Sequence, residues 1–178
     1  TIVSCEDMMG DFLEKAPGVD VTEDTIFSSR SQVEMFLASI YEYGVHSNLG
    51  LGSPDNGAPA IANSAGTIDA GATDEAEACA NWYDPQKWNN ASVSPDNTDD
   101  PRFSHRFTAI RKVTVMLDRV DEVPDITKEY ANQLKAESKF IRALNYFEMF
   151  KRYGGVPIID HRLQLDENLK IPRSSVED

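Results

Sequence analysis

The sequence has few of the residues on which metal, redox and nucleic-acid chemistry depend. Its 178 residues include two cysteines, Cys5 and Cys79, and three scattered histidines. Neither set has the spacing of a zinc or redox motif, so a metal site or a cysteine protease has no support. The formal net charge is −13, and Lys and Arg do not cluster. A phosphate-binding surface needs such clusters, which argues against nucleic acid as a partner.

Long apolar runs are also missing, and helical periodicity takes their place. No stretch approaches the ~18 apolar residues of a membrane-spanning helix. The densest helical pattern lies in residues 127–153, where neither Gly nor Pro occurs. Gly154-Gly155 and then Pro157 end it. The pattern predicts a helix of about 26 residues at ~3.6 residues per turn, buried between neighbouring helices because it is apolar on two sides.

Two further helices are predicted before it. Ser31-Gln32-Val33-Glu34 reads as a capping box at the start of the first, and Gly44 is expected to end that helix. Asp100-Pro101 is expected to open the second, with an N-cap and a first-turn proline. A short turn at Pro124 then leads into the long helix. The last two helices should form an antiparallel hairpin, the packing unit of tetratricopeptide-like repeats.

Residues 45–100 lie between these helices and carry little periodicity. Trp82, Tyr83 and Trp88 fall within seven residues there, and Asn81 precedes them. Aromatic faces stack on sugar rings while amides and carboxylates bind the hydroxyl groups, so the group suits a glycan site. Two interpretations stay open. The aromatic residues form a ligand platform, or the tryptophans anchor a long loop to the helices.

Several of these stretches resemble the SusD/RagB family of outer-membrane nutrient-binding lipoproteins. Residues 136–159, A-E-S-K-F-I-R-A-L-N-Y-F-E-M-F-K-R-Y-G-G-V-P-I-I, are similar to the family's signature. T-E-D-T-I-F at 22–27 and Thr73-Asp74-Glu75 match in the same order, as does the helix at 107–120. Val113-Thr114 departs from the Ala-Asn that is usual in that helix. The resemblance implies an all-α fold of tetratricopeptide-like helical hairpins with long irregular loops.

The resemblance also implies a function. It implies a cell-surface lipoprotein that binds a glycan, or in some branches a peptide, and delivers it to a SusC-like TonB-dependent transporter. No enzymatic activity and no cofactor are expected, since adjacent carboxylates such as Asp74-Glu75 cannot face each other across a cleft as glycosidases require. Ligand contacts in the family commonly follow the D-E motif. The candidate ligand-binding residues are Asp74, Glu75, Asn81, Trp82, Tyr83 and Trp88. For Asp74 and Glu75 the alternative role is to accept hydrogen bonds from the loop backbone and fix the loop.

The N-terminal stretch has a different character. Residues 1–25 are acidic and read as a tether. Ile2-Val3-Ser4-Cys5 resembles the end of a bacterial lipoprotein signal, so Cys5 is the expected lipidation site. Residues 26–178 are expected to form a SusD-like N-terminal helical domain. Ser174-Ser175 resembles the start of the family's next helix, which indicates an N-terminal piece of a longer protein.

The helical hairpins alone support a second hypothesis. Without the resemblance, they fit a protein-interaction scaffold that has no small ligand. A surface-exposed aromatic platform in the 73–90 loop would favour glycan binding, and buried tryptophans would weaken it.

Overall fold

A computed structural model describes residues 22–46, 73–75, 86–94, 103–164 and 166–177. The elements in these ranges are helical, in the order α1 (Glu23–Ile26), α2 (Arg30–Tyr41), a π-helical turn (Glu42–His46), α3 (Gln86–Asn89), α4 (Phe103–Arg119), a 3₁₀ turn (Val120–Glu122) and α5 (Lys128–Tyr153). The all-α fold is confirmed. The predicted helix start at Asp100-Pro101 lies outside the described residues, as does the acidic stretch before residue 22.

Helices α4 and α5 form the predicted antiparallel hairpin. At one end the rings of Phe103 and Tyr153 pack edge to face, with centroids 5.3 Å apart. At the other end Lys135 of α5 forms an ion pair with Asp121. Helix α5 has 26 residues, as predicted. Its C-cap is Gly154, whose φ of 67° is a left-handed conformation that glycine adopts without steric cost.

Helix α2 lies along the first half of α5 and runs in the same direction. The Tyr130 hydroxyl donates to Glu34 at 2.6 Å, and the Tyr41 hydroxyl donates to Glu137 at 3.1 Å. The residue numbers rise together on both helices, which fixes the parallel arrangement. The core between α2, α4 and α5 is aliphatic and includes the fully buried side chains of Val33, Ile40, Val113, Met116, Val120, Leu134 and Ile141.

The predicted capping box is wrong. The Oγ of Ser29, not that of Ser31, accepts a hydrogen bond from the first turn of α2, at 3.5 Å. The Glu34 carboxylate forms an ion pair with Arg30, with Nε and Oε1 2.7 Å apart. The Arg30 backbone N–H donates at 2.6 Å to the carboxylate of Asp125, which lies 95 residues further along the chain. A side chain from the α4–α5 connection therefore satisfies an N–H that the helix leaves free at its start.

The prediction that Gly44 ends the helix is also wrong. Gly44 is buried inside the π-helical turn, where α2 continues toward α5. A Cβ at this position would lie 2.2 Å from Cγ2 of Ile141 and 3.0 Å from Nδ2 of Asn145. The buried Asn145 amide donates to the Gly44 carbonyl at 3.1 Å and to the Ile141 carbonyl at 2.7 Å. Glycine fits here because the side chains of Ile141 and Asn145 already occupy the place of a Cβ.

Only one side of α5 is covered within the described residues. Phe140, Phe147 and Phe150 lie on the other side and are exposed. The prediction that both apolar sides are buried is wrong for this part of the chain, because α2 and α4 pack on the same side. The covered side consists of Ala131, Leu134, Ser138, Ile141, Asn145 and Met149.

Replacing Gly44 by Ala should lower the free energy of unfolding by about 1–3 kcal/mol, the usual cost of overpacking. In an ordinary helix a Gly→Ala change raises the free energy of unfolding by up to ~1 kcal/mol. A decrease at position 44 would therefore indicate steric conflict with Ile141 and Asn145. Urea unfolding measures it. The control is Lys139→Ala on the exposed part of α5, which should stay within about 0.5 kcal/mol of the parent. A Gly44→Ala variant as stable as this control would contradict the packing.

Candidate functional site

The acidic pair predicted to contact the ligand lies in an exposed turn. Asp74 and Glu75 both have exposed side chains. The turn is closed locally, since the Glu75 backbone N–H donates to the Thr73 Oγ1 at 3.3 Å. Both carboxylates therefore face solvent, where they can accept hydrogen bonds from a ligand.

The aromatic residues of the predicted site lie mostly outside the described residues. Asn81, Trp82 and Tyr83 are outside them, and the side chain of Trp88 is too, although its backbone belongs to α3. The grouping of these residues with Asp74 and Glu75 therefore stays a prediction.

A tight turn follows α3 and presents two amides. The Ser92 N–H donates to the Lys87 carbonyl at 2.9 Å and to the Asn90 Oδ1 at 3.1 Å. Ala91 between them has a φ of 58°. Asn89 and Asn90 are exposed at this turn. The side chain of Asn90 thus closes the turn that follows α3.

The segment that follows α5 is held closely against the hairpin. The Tyr146 hydroxyl accepts from the Ile159 N–H at 2.7 Å, and burial raises the pKa of this tyrosine. A Cβ on Gly155 would lie 2.0 Å from the Ser174 carbonyl oxygen. The Arg173 guanidinium donates to the Gly155 carbonyl at 2.7 Å and also to the Tyr153 carbonyl. The tyrosine and second glycine of the signature thus bind the chain that continues beyond the helix.

This segment forms one wall of a cleft against α4. The cleft has a volume of about 240 Å³ and mostly apolar walls. Arg162 at its edge is held by two hydrogen bonds to Glu23 of α1, at 2.6 and 2.8 Å. Arg111 is an exposed cation on the opposite wall. The lining residues are Phe107, Ile110, Arg111, Thr114, Ile159, His161, Arg162 and Leu163.

A second cleft, of about 410 Å³, lies where α4 meets the start of α5. Its carboxylate, ammonium and amide groups match the hydroxyl groups of a sugar better than the apolar cleft does. The sequence analysis missed both clefts: the apolar one joins α4 to residues 159–163, and the polar one is formed within residues 120–135 by the turn between α4 and α5. The polar lining residues are Asp121, Thr127, Lys128, Asn132 and Lys135.

His161 at the rim of the apolar cleft carries two acidic neighbours. Its Nδ1 lies 2.8 Å from the Asp160 carboxylate and its Nε2 lies 3.3 Å from that of Glu167. These hydrogen bonds, first from Asp160 and then from Glu167, raise the pKa of His161 above its ordinary value of 6.5. The imidazolium is therefore favoured at the cleft rim.

Among the described residues, no group of three or more His, Cys, Asp or Glu side chains is placed to hold a metal ion. The helices in this part of the chain include none that is long and apolar enough to cross a bilayer.

Comparison with known protein families identifies the family of this chain. Residues 11–178 match the SusD-like family model described as starch-binding and associating with the outer membrane. The chain belongs to the SusD-like family. The resemblance of residues 136–159 to the SusD/RagB signature is thereby confirmed.

Two SusD-like relatives support the same assignment. The chain is 28% identical over 169 residues to the SusD-like protein P25 of Formosa agariphila. The aligned region covers 92% of this chain and 30% of that protein. A crystal structure of a SusD-like protein from Bacteroides fragilis has a TM-score of 0.60 at 26% identity and covers 92% of this chain and 29% of that one.

A third comparison concerns the fold alone. The crystal structure of a SusD homolog from Bacteroides thetaiotaomicron has a TM-score of 0.53 at 19% identity, over 85% of this chain and 31% of that one. The chain thus spans about 30% of the length of its SusD-like relatives.

The His161 environment predicts a pH dependence. NMR titration of the His161 ring should give a pKa above 6.5, and Asp160→Asn should lower it more than Glu167→Gln. Because the folded pKa is raised, the stabilisation is fully present below pH 6.5 and is lost as the pH rises through the folded value. A His161 pKa at or below 6.5 would contradict the contacts with both carboxylates.

Proposed function

We propose that the protein is a cell-surface lipoprotein that binds a glycan and passes it to a SusC-like TonB-dependent transporter in the outer membrane. The match of residues 11–178 to a family described as starch-binding and associating with the outer membrane carries the proposal. The SusD-like hairpin of α4 and α5 supports it, since a comparable fold occurs in the SusD-like relatives. The protein acts by binding, without a cofactor.

Membrane attachment is assigned to the N-terminal stretch. Cys5 is the proposed lipidation site, residues 1–25 the acidic tether, and residues 26–178 the N-terminal helical domain. Two acyl chains hold a protein stably at a membrane, whereas a single chain does so only marginally. Lipidation at Cys5 would place the helical domain at the outer-membrane surface, beside the transporter.

The ligand site is assigned to the loop that begins at the acidic turn. Trp82 stacks on a sugar ring, with Tyr83 or Trp88 as the second aromatic residue. Asn81, Asp74 and Glu75 bind hydroxyl groups, and the exposed position of the two carboxylates supports that role. A starch-derived oligosaccharide is the first ligand to test, because the family description names starch.

The test of the ligand site is a titration of the full-length protein with maltooligosaccharides and a panel of other glycans and peptides. Trp82→Ala should weaken binding at least several-fold, because a stacked aromatic contributes about 0.5–1.5 kcal/mol beyond its buried area. The melting temperature should hardly change. Met35→Ala, an exposed change on α2, is the control and should alter neither quantity.

Two outcomes would contradict the assignment. If Trp82 anchors the loop instead, its loss should cost about 3–5 kcal/mol of stability with unaltered affinity, as for a buried large aromatic residue. If no glycan or peptide binds the full-length protein, the proposed function fails and the scaffold hypothesis takes its place.

Attachment and transfer are tested on native membranes. Mass spectrometry should find an acylated Cys5 as the first residue, and Cys5→Ser should release the protein from the membrane fraction. A TonB-dependent transporter should co-purify in mild detergent at several salt concentrations. An unmodified Cys5 with residues 1–4 still attached would rule out the anchor, and recovery of the protein alone would rule out the complex.

A further inference from the structure

The rim of the apolar cleft between α4 and the segment after α5 carries one cation that the described residues leave unpaired. Arg162 at one edge is neutralised by Glu23, which accepts two hydrogen bonds from its guanidinium. Arg111 on the opposite wall is exposed, and no carboxylate in the described part of the chain pairs with it. The cleft therefore has a free positive charge at its mouth, in a chain whose formal net charge is −13.

The carboxylates nearest to His161 do not cancel this charge. Asp160 and Glu167 both bond to the His161 ring, with O–N distances of 2.8 and 3.3 Å. Neither forms an ion pair with Arg111. The acidic groups along this rim are thus already engaged by Arg162 and His161, so that Arg111 is the group available to an anion.

Inside the rim the cleft is apolar. Phe107 and Ile110 line the wall on α4, and Ile159 and Leu163 line the wall on the segment after α5. The one hydroxyl group among the lining residues belongs to Thr114 and donates to the Ile110 carbonyl at 3.0 Å. A mostly apolar lining with a few polar groups at defined places is the usual composition of a small-molecule site.

Both walls are fixed without a ligand. The Ile159 N–H donates to the Tyr146 hydroxyl at 2.7 Å, which ties the outer wall to α5. On the inner wall Ile110 is 1% exposed and packs with Met149 of α5 in the core. A site whose walls are already in place loses less conformational entropy when it binds, so a small ligand suffices.

The volume limits the size of that ligand. At about 240 Å³ the cleft is smaller than the ~300–1,000 Å³ of sites for drug-sized molecules. With ~30 Å³ for each water-sized group, it holds about eight such groups. A phenyl ring with a short carbon chain fills this space. An oligosaccharide is too large for it and finds few partners for its hydroxyl groups on apolar walls.

We propose that this cleft binds a small monocarboxylic acid with an apolar body, and that Arg111 holds the carboxylate. A guanidinium presents its N–H donors in a fixed fork that matches the two oxygens of a carboxylate. The apolar body lies between Phe107 and Leu163. An alcohol of the same shape lacks the charge, and an amine is repelled by Arg111. This site is separate from the proposed glycan site and does not depend on it.

The test is a calorimetric titration of the full-length protein with hydrocinnamate, which joins a phenyl ring to a carboxylate through two methylene groups. We expect saturable binding with a Kd of about 1 mM or lower. Hydrocinnamyl alcohol, which has the same body without the charge, should bind at least ~10-fold more weakly, a difference of about 1.4 kcal/mol. Acetate, which has the charge without the body, should show no saturable binding.

Substitutions of Arg111 then assign the carboxylate to this cleft. Arg111→Met removes the charge and keeps an unbranched side chain, so it should weaken hydrocinnamate binding at least ~10-fold and leave the alcohol unaffected. Arg111→Lys keeps the charge without the fork and should give an intermediate affinity. The matched control is Lys139→Met, which removes an exposed cation of α5 outside the cleft and should change neither affinity.

A diazirine-bearing hydrocinnamate locates the bound acid by mass spectrometry of the crosslinked peptides. We expect crosslinks in residues 107–114 or 159–163, and none of them in Arg111→Met at the same concentration. Maltooligosaccharide binding should be equal in Arg111→Met and the parent, so a failure of the acid site and a failure of the proposed glycan function are seen separately.

Several outcomes would overturn the proposal. Equal affinities for hydrocinnamate and its alcohol would show an apolar cavity without acid recognition. An absence of saturable binding would show that the cleft is filled or closed in the full-length protein. Tighter binding of a peptide that ends in phenylalanine would make it a peptide site. If Arg111→Met lowers the melting temperature, the comparison of acid with alcohol on the parent protein still decides.

Discussion

The hydrogen bond from the buried Asn145 amide to the Gly44 carbonyl sets how closely the helices of this protein approach. It joins residues 101 positions apart, and both of its groups are removed from water. A buried amide without such a partner costs about 1–3 kcal/mol, so α2 must enter its π-helical turn at the point where the carbonyl meets α5. Ala109 of α4 also lies close, 3.5 Å from the position of a Gly44 Cβ. The three helices therefore meet at Gly44.

The residues of the family signature, on α5 and directly after it, fall into three groups that differ in what they contact. The covered side carries the apolar Leu134, Ile141 and Met149 together with the buried Ser138 and Asn145, where the neighbouring helices come near. The end of the helix carries Tyr146 and Gly155, which bind the segment that follows. The opposite side carries the exposed Phe140, Phe147 and Phe150. A sequence motif that combines packing, termination and an exposed apolar face is long because each of these requirements adds its own positions.

Local signals predicted the fold well, and long-range contacts account for the errors. The bounds of α5 follow from an uninterrupted helical pattern and a glycine at its end, and the hairpin follows from the short connection. The capping box failed because Asp125, far along the chain, satisfies the Arg30 N–H. Gly44 was misread because a close approach and a helix end both call for glycine. The apolar cleft could not be predicted, since its walls come from α4 and from residues 159–163. The stacking role of Trp82 stays a prediction.

The ion pairs around α1 have a mechanical consequence. Glu23 is bonded to Arg162 in the segment after α5, and Asp24 is bonded to Arg119 at the end of α4, at 2.9 Å. A pull on the chain ahead of Thr22, such as a membrane tether would exert, therefore reaches these charged contacts before it reaches the aliphatic core. These ion pairs are partly exposed and weaken with salt, which the aliphatic core does not. Under tension α1 should detach first, and it would lengthen the tether while the hairpin stays folded.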